Sequence, residues 1–227
     1  MANLLDLIFP KKCVSCKKLG SYLCEKCFVY LSFDAKSLCL VCDKPTYNGL
    51  THPFCRNKYT IDGCFSALSY NHTAKKLIYS FKYKPYLTDL KDFISELFYE
   101  SLIQKEEFMK LMADDLWLIV PVPLSESKFR KRGYNQAEIL ARKLAEKFSL
   151  EEKDLLKRIK ETKTQVKLRK KERAENIKGS FILKNEIAGS VFLVDDVVTT
   201  GSTLLEAAKI LKKKGAKRVI GLTLARD

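Results

Sequence analysis

The eight cysteines of the chain all lie between Cys13 and Cys64, and seven of them fall, with His52, into close pairs. Cys13-x-x-Cys16, Cys24-x-x-Cys27, Cys39-x-x-Cys42 and His52-x-x-Cys55 follow one another at short intervals. Two ligands separated by two residues can turn toward one ion, and Zn²⁺ takes thiolate sulfur and imidazole nitrogen in a tetrahedron. Four such knuckles supply ligands for two zinc ions with no open coordination position, so both sites are expected to be structural. Sequential pairing puts Cys13, Cys16, Cys24 and Cys27 on one ion and Cys39, Cys42, His52 and Cys55 on the other. Interleaved pairing satisfies the same spacing. Cys64 is left over, either a small buried hydrophobe at a strand start or a substitute for His52. The N-terminus, Met1 to Asp6, has no basic lead-in and carries an acid in its apolar stretch, unlike a secretory signal. The expected compartment is the cytoplasm, where metal ligation is favoured over disulfides.

A second constellation is Val191-Phe-Leu-Val-Asp195-Asp196-Val-Val-Thr199-Thr200-Gly201-Ser202-Thr203. An apolar strand delivers two carboxylates at its C-terminal end. A hydroxyl-rich turn follows, then a helix whose N-terminal amides face back toward that turn. Adjacent carboxylates accept hydrogen bonds from a ribose diol, while free amides, the helix dipole and Thr/Ser hydroxyls hold a phosphate. The pattern has neither the Gly-Lys-Ser/Thr of a Walker loop nor the spaced glycines of a dinucleotide fingerprint. Its plain structural alternative is a strand-end turn closed by a Thr203/Glu206 capping box.

The elements that must position these groups are legible in the hydrophobic period. Phe65 to Tyr70 reads as a strand, Lys75 to Lys82 as a short helix broken by Pro85, and Leu90, Phe93, Ile94, Leu97, Phe98 and Leu102 stripe a longer helix. Leu116 to Val120 and Val191 to Val194 are apolar runs of strand length. Between them, Asn135 to Phe148 is an amphipathic helix opened by a capping box of Asn135 and Glu138. Leu204, Ala207, Ala208 and Leu211 stripe a helix ending at Gly215, and Arg218 to Leu224 makes a further strand. Strand, helix, strand implies an α/β fold with a parallel sheet flanked by helices. The change of character after Cys64 divides the chain into a metal-stapled module at 1–64 and an α/β domain at 65–227. No repeat and no low-complexity tract stands out.

With 227 residues and 46% hydrophobic content the chain buries a real core, which excludes a wholly disordered protein. No apolar run is long enough to span a membrane. The net charge of +15 favours polyanionic partners, and it is concentrated: residues 128–178 hold 18 basic and 8 acidic residues. Within them, residues 156–180 break the α/β rhythm with nine basic residues from Lys157 to Arg173. This stretch reads as a long mobile excursion or a solvated basic helix.

Residues 191–203 resemble the motif of type I phosphoribosyltransferases that binds phosphoribosyl pyrophosphate (PRPP). Two further segments are similar to the ComF family, the competence-associated relatives of amidophosphoribosyltransferases. They are Val120-Pro-Val-Pro123 leading to Arg132-Gly133-Tyr134-Asn135-Gln136, and Thr162-x-x-Gln165-x-x-Leu168 leading to Arg173-x-x-Asn176 and Phe181. The N-terminal knuckles share the similarity, which covers nearly the whole chain. The resemblance implies that Asp195 and Asp196 hold the ribose hydroxyls, that Thr199, Thr200, Gly201, Ser202 and Thr203 hold the 5-phosphate, and that PRPP enters with Mg²⁺. It implies a pyrophosphate loop at residues 124–128 and a flexible closing loop carrying Lys163, Lys167, Arg169, Lys170, Lys171 and Arg173. The first has no glycine before Gly133, so pyrophosphate binding is the weakest carry-over. No glutaminase domain with a leading cysteine is present in these residues, so ammonia transfer is not supported.

Two functions follow. One is a ComF-like protein that binds PRPP or a related sugar phosphate and handles single-stranded DNA during natural transformation, with DNA-uptake proteins as partners. Here the basic excursion grips phosphates, and Tyr79, Phe81, Tyr83 and Tyr86 beside Lys82 and Lys84 either stack on bases or pack in the core. The other is a Mg²⁺-dependent phosphoribosyltransferase, with Arg169, Lys170 or Arg173 neutralising the departing pyrophosphate and an unnamed base or amine as acceptor.

Overall fold

The computed structural model describes residues 10–84, 88–161 and 170–227. Its centre is a five-stranded sheet of β1 (Gly63–Ser69), β2 (Trp117–Pro121), β3 (Glu151–Glu152), β6 (Gly189–Val198) and β7 (Ala216–Arg226), in the order β1-β7-β6-β2-β3. Every neighbouring pair is parallel, as strand-helix-strand alternation requires. A separate two-stranded antiparallel sheet pairs β4 (Leu156–Arg158) with β5 (Phe181–Leu183), and a helix lies between them in the chain.

Both faces of the sheet are covered, and the central strands are apolar on both sides. Phe192 and Val194 of β6 face a core with Phe81, Phe98, Phe108 and Trp117. The Trp117 and Phe192 rings stack with centroids 4.0 Å apart. Val191 and Leu193 face a second core with Leu204, Ala207, Ala208 and Leu211. The helices after the short α1 (Glu25–Phe28) are α2 (His72–Tyr83), α3 (Thr88–Ile103), α4 (Glu106–Ala113), α5 (Glu126–Arg132), α6 (Gln136–Phe148), α7 (Lys170–Ile177) and α8 (Ser202–Lys213). Among the described residues none is long and apolar enough to cross a membrane.

Two local expectations are modified. The Asn135 carboxamide does cap α6, accepting from the Ala137 N–H at 3.2 Å, but Glu138 turns away to Arg142 at 3.0 Å, so the reciprocal half of the box is not made. The basic excursion is ordered at both described ends, by the β4–β5 pair and by α7. Leu156 and Phe181 anchor the two paired strands in the second core, an apolar signal outweighed in the sequence by the surrounding charge.

The N-terminal segment contains a geometric repeat hidden from sequence comparison. Lys12 bridges Leu19 and Leu38 bridges Pro45, both antiparallel. Lys17 and Asp43, each just after a second knuckle cysteine, both take positive φ, 69° and 59°. The two knuckles therefore share one backbone, with Val14 and Leu40 at equivalent positions, both buried. Val14 joins the first core and Leu40 the second.

Candidate functional site

The ligands fall into the sequential sets. One ligand atom each from Cys13, Cys16, Cys24 and Cys27 lies within 4.8 Å of the others, and so do those of Cys39, Cys42, His52 and Cys55. In the second set His52 Nδ1 is 3.3 Å from the Cys42 sulfur, while Nε2 lies 3.0 Å from the Pro45 carbonyl. With Nε2–H donating there, the Nδ1 lone pair faces the sulfurs, the outer-shell arrangement that zinc-binding histidines use. Burial raises Cys13, yet the backbone N–H groups of Cys16, Cys24 and Ser15 bring it down to about 6. Burial and the neighbouring cysteines push Cys27 up to about 12 and Cys55 up to about 11. The donor set in both clusters is that of structural zinc. Cys64 belongs to neither set; it is 3% exposed in β1 and burial raises its thiol to about 11.

Asp195 and Asp196 sit toward the C-terminal end of β6, past the end of its pairing with β2 and still alongside β7, and both line a cleft of about 450 Å³. The Asp196 carboxylate pairs with Lys82 Nζ at 2.9 Å. Asp195 accepts from the Asp196 N–H at 2.8 Å. Burial, then the charge of Asp196, pushes Asp195 up to about 7 against the pull of Asp196 N–H, Lys82 and Arg158. Next to the acids, residues 197–204 and Asp195 bound a cup of about 40 Å³. Gly201, at φ 72°, is the residue before α8, and no side chain caps that helix. Glu206 instead accepts from the Gly179 N–H at 2.8 Å, so the Thr203/Glu206 capping box is not what closes the turn. Thr200 and Ser202 hydroxyls lie 2.9 Å apart, and Arg173 of α7 donates to Thr199 Oγ1 at 2.6 Å.

The cleft is more basic than its motif announced. Lys75, Lys82, Lys128, Arg132, Arg158 and Arg173 line it opposite Asp195, Asp196 and Asp227. Lys75 and Lys82 are seven apart on α2, two turns along one face, which is the signal that could have placed both here. Burial lowers Lys128, with Arg158 and Arg132 beside it. The stretch expected to be a pyrophosphate loop enters α5, where Ser127 donates its N–H and hydroxyl to Glu161 at 2.9 and 2.6 Å, holding that carboxyl down to about 2. Of the loop residues only Arg173 is seen at the cleft. Lys163, Lys167 and Arg169 lie outside the described residues, and Lys170 and Lys171 are described only as part of the α7 backbone.

Fold and cleft define the class: a phosphoribosyltransferase-type α/β domain carrying a double zinc ribbon. Residues 130–227 match the phosphoribosyl transferase domain family and residues 4–57 the double zinc ribbon domain family. "Competence protein F" of Haemophilus influenzae is 43% identical over 113 residues, 48% of this chain and 49% of that protein. "DNA utilization protein YhgH" of Escherichia coli (strain K12) is 37% identical over 103 residues, 44% and 45%. This chain thus spans about half the length of those relatives. "Competence protein ComFC" of Bacillus subtilis is 29% identical over 226 residues, 96% of this chain and 85% of that one. A solved purine phosphoribosyltransferase from Pyrococcus horikoshii Ot3 superposes with a TM-score of 0.33 and 18% identity, over 60% of this chain and 83% of that one. The chain is thus similar to proteins named for competence and for DNA utilization, and two of its segments match the two domain families.

Proposed function

We propose that this protein binds PRPP, or a sugar phosphate of the same outline, in the cleft at the end of β6, and handles single-stranded DNA during DNA uptake. The observation that carries the ligand is the adjacency of two complementary parts. A hydroxyl-lined cup at a helix N-terminus meets two carboxylates facing a cleft whose six cations outnumber its acids. Asp195 and Asp196 would accept from the ribose hydroxyls, Thr199 to Thr203 would seat the 5-phosphate, and Lys128 and Arg158, which line the same cleft, would hold a diphosphate. Binding replaces the Lys82–Asp196 ion pair as the acid's partner. The test is calorimetric titration of PRPP into the zinc-loaded protein: saturable binding that Asp196→Asn weakens about a hundredfold supports the reading, and no heat with wild type ends it.

The names of the relatives motivate the DNA half, and one local feature supports it. Tyr79 and Tyr83, 58% and 40% exposed, lie 4.9 Å apart on α2, with Arg132 and Lys131 over the Tyr83 ring. Phe81 is instead buried in the core. Exposed paired aromatics among cations suit unpaired bases. A steep fall of single-stranded DNA affinity with salt, shallower when the basic residues of 157–173 are replaced, would support this half.

A second reading, transfer of the phosphoribosyl group, is favoured by the same cleft. The acceptor's lone pair would form a bond to ribose C1 as the C1–O bond breaks, and pyrophosphate leaves with that electron pair. Mg²⁺ bound with PRPP would supply charge neutralisation for the leaving group. The chain's cations would hold that anion, and Asp195 and Asp196 would orient the ring and favour positive charge on it. Pyrophosphate release in a screen of bases and amines, lost in Asp196→Asn, tests it.

A further inference from the structure

The Cys39–Cys42 knuckle lies directly behind the 199–203 turn. Leu40, the residue after Cys39 in Cys39-Leu-Val-Cys42, is 2% exposed and packs against Gly201. The contact is close enough that a Cβ on Gly201 would lie 2.9 Å from Leu40 Cδ2 and 3.4 Å from its Cβ and Cγ. Gly201 is both left-handed and walled in, so the turn has one path available. A second contact ties the same knuckle to the sheet: the Leu38 carbonyl accepts from Arg226 at 3.2 Å, and Arg226 pairs in register with Val198 of β6. Leu40 stands between two metal ligands, and its backbone is held by the Leu38–Pro45 bridge and the Cys39 N–H to Lys44 carbonyl bond at 3.0 Å. Its position is set by closure of the Cys39, Cys42, His52 and Cys55 cluster.

The geometry points to Leu40 as a positioning residue through which the second zinc cluster holds the 199–203 turn in its ligand-ready shape. The inference rests on the reading that this turn seats a phosphate. Coupling of this kind is reciprocal, so a sugar phosphate seated in the turn tightens zinc at the second cluster and leaves the first unaffected. The first knuckle provides the control, because Val14, its equivalent of Leu40, packs in the other core.

Hydrogen exchange on the zinc-loaded chain, with zinc content checked, tests this without a ligand. Leu40→Ala is expected to speed exchange of the Leu205 amide, which closes the turn on the Gly201 carbonyl at 2.9 Å, about tenfold while zinc content is unchanged. Leu40→Met should restore the wild-type rate, and Val14→Ala should leave the turn as it is. Equal exchange in Leu40→Ala and wild type, or an equal rise in Val14→Ala, overturns the inference. Should Leu40→Ala lose zinc, Leu40→Val serves in its place: faster turn exchange with full zinc supports the coupling, and wild-type exchange refutes it. A second measurement follows zinc release to a chromogenic chelator from wild type. PRPP should slow one of the two release phases, the phase missing in Cys42→Ser; slowing of both, or of neither when calorimetry shows PRPP bound, counts against the coupling. Absence of PRPP binding in calorimetry removes the sugar-phosphate reading while the exchange result still decides the mechanical link.

Discussion

The two halves of the zinc ribbon have the same knuckle backbone and serve different parts of the α/β domain. The first half lies against α2: Lys76 donates to the Ser15 carbonyl at 3.1 Å and Asn71 to the Tyr30 carbonyl at 2.7 Å. The second lies against the 199–203 turn and the end of β7, through Leu40 and Leu38. The helix braced by the first half carries Lys75 and Lys82. The turn braced by the second carries the hydroxyls. Both braced elements line the same cleft, where the Lys82–Asp196 ion pair ties α2 to the strand that leads into the turn. A metal staple supplies rigidity that a segment of this size cannot obtain from burial alone, and here each staple is placed behind one wall of the cleft.

The largest expected effect separates the halves directly. A structural zinc contributes on the order of 10 kcal/mol to the order of its own segment. Cys42→Ser should therefore release one of the two metals and raise amide exchange across residues 38–55 and at the Leu205 amide that closes the 199–203 turn, leaving residues 12–30 protected. If both halves open together, they form one cooperative unit and the contrast between them is lost. Next in size is the ion pair that joins the walls. Asp196→Asn removes a charged acceptor and leaves Lys82, 19% exposed in its side chain, without its carboxylate. Sugar-phosphate affinity should fall about a hundredfold, corresponding to roughly 3 kcal/mol for loss of charge-assisted bonding. An unchanged affinity would place the ligand elsewhere.

A glycine pair sharpens the role of the second half. Gly201 and Gly133 both adopt left-handed backbone, φ 72° and 78°, but a Cβ at Gly133 meets nothing within 4 Å. Gly133→Ala should cost about 1 kcal/mol, the conformational penalty alone. Gly201→Ala adds overpacking against Leu40 and should cost about 2 kcal/mol more. The difference in denaturant midpoints, read at constant slope, checks this; equal costs would mean that Leu40 yields freely.

The smallest effect is a pH dependence. Asp195, pushed up to about 7, holds its proton in the folded protein at pH values where the unfolded chain has released it. The folded state binds more protons between about pH 4 and 7, so this group's contribution to stability falls as pH rises through that window. Asp195→Asn should flatten that decline in thermal melts, and sugar-phosphate binding, which needs the ionised carboxylate as acceptor, should strengthen from pH 6 to pH 8. A melt series whose slope is the same in the variant would show that the proton sits elsewhere.

Much of this was legible in the chain. The C-x-x-C spacing names its own chemistry because two ligands on one tight turn need no distant partner to point the same way. The run from Val191 to Thr203 is similarly local: strand, acids, turn and helix are consecutive, so their relative placement follows from backbone geometry. The sequence shows Lys82 only as a cation among aromatics and Arg158 only as a member of a basic stretch, while Lys128 falls at the end of the expected pyrophosphate loop. Each reaches the cleft from a different element, and a side chain's direction at that distance depends on how helices pack on the sheet. Charge also concealed order, since Leu156 and Phe181 seat two paired strands at the borders of the segment read as an excursion.

From its own order of residues the chain determined the metal ligands, the parallel α/β alternation and the acid pair with its hydroxyl turn, all of which depend on contacts within a few residues. Packing alone decided that Leu40 would meet Gly201, that Lys82 would meet Asp196, and that two equivalent knuckles would back opposite walls of one cleft. Those pairs are separated by more than a hundred residues in sequence, and no local preference can specify a contact that only the closed sheet brings within reach.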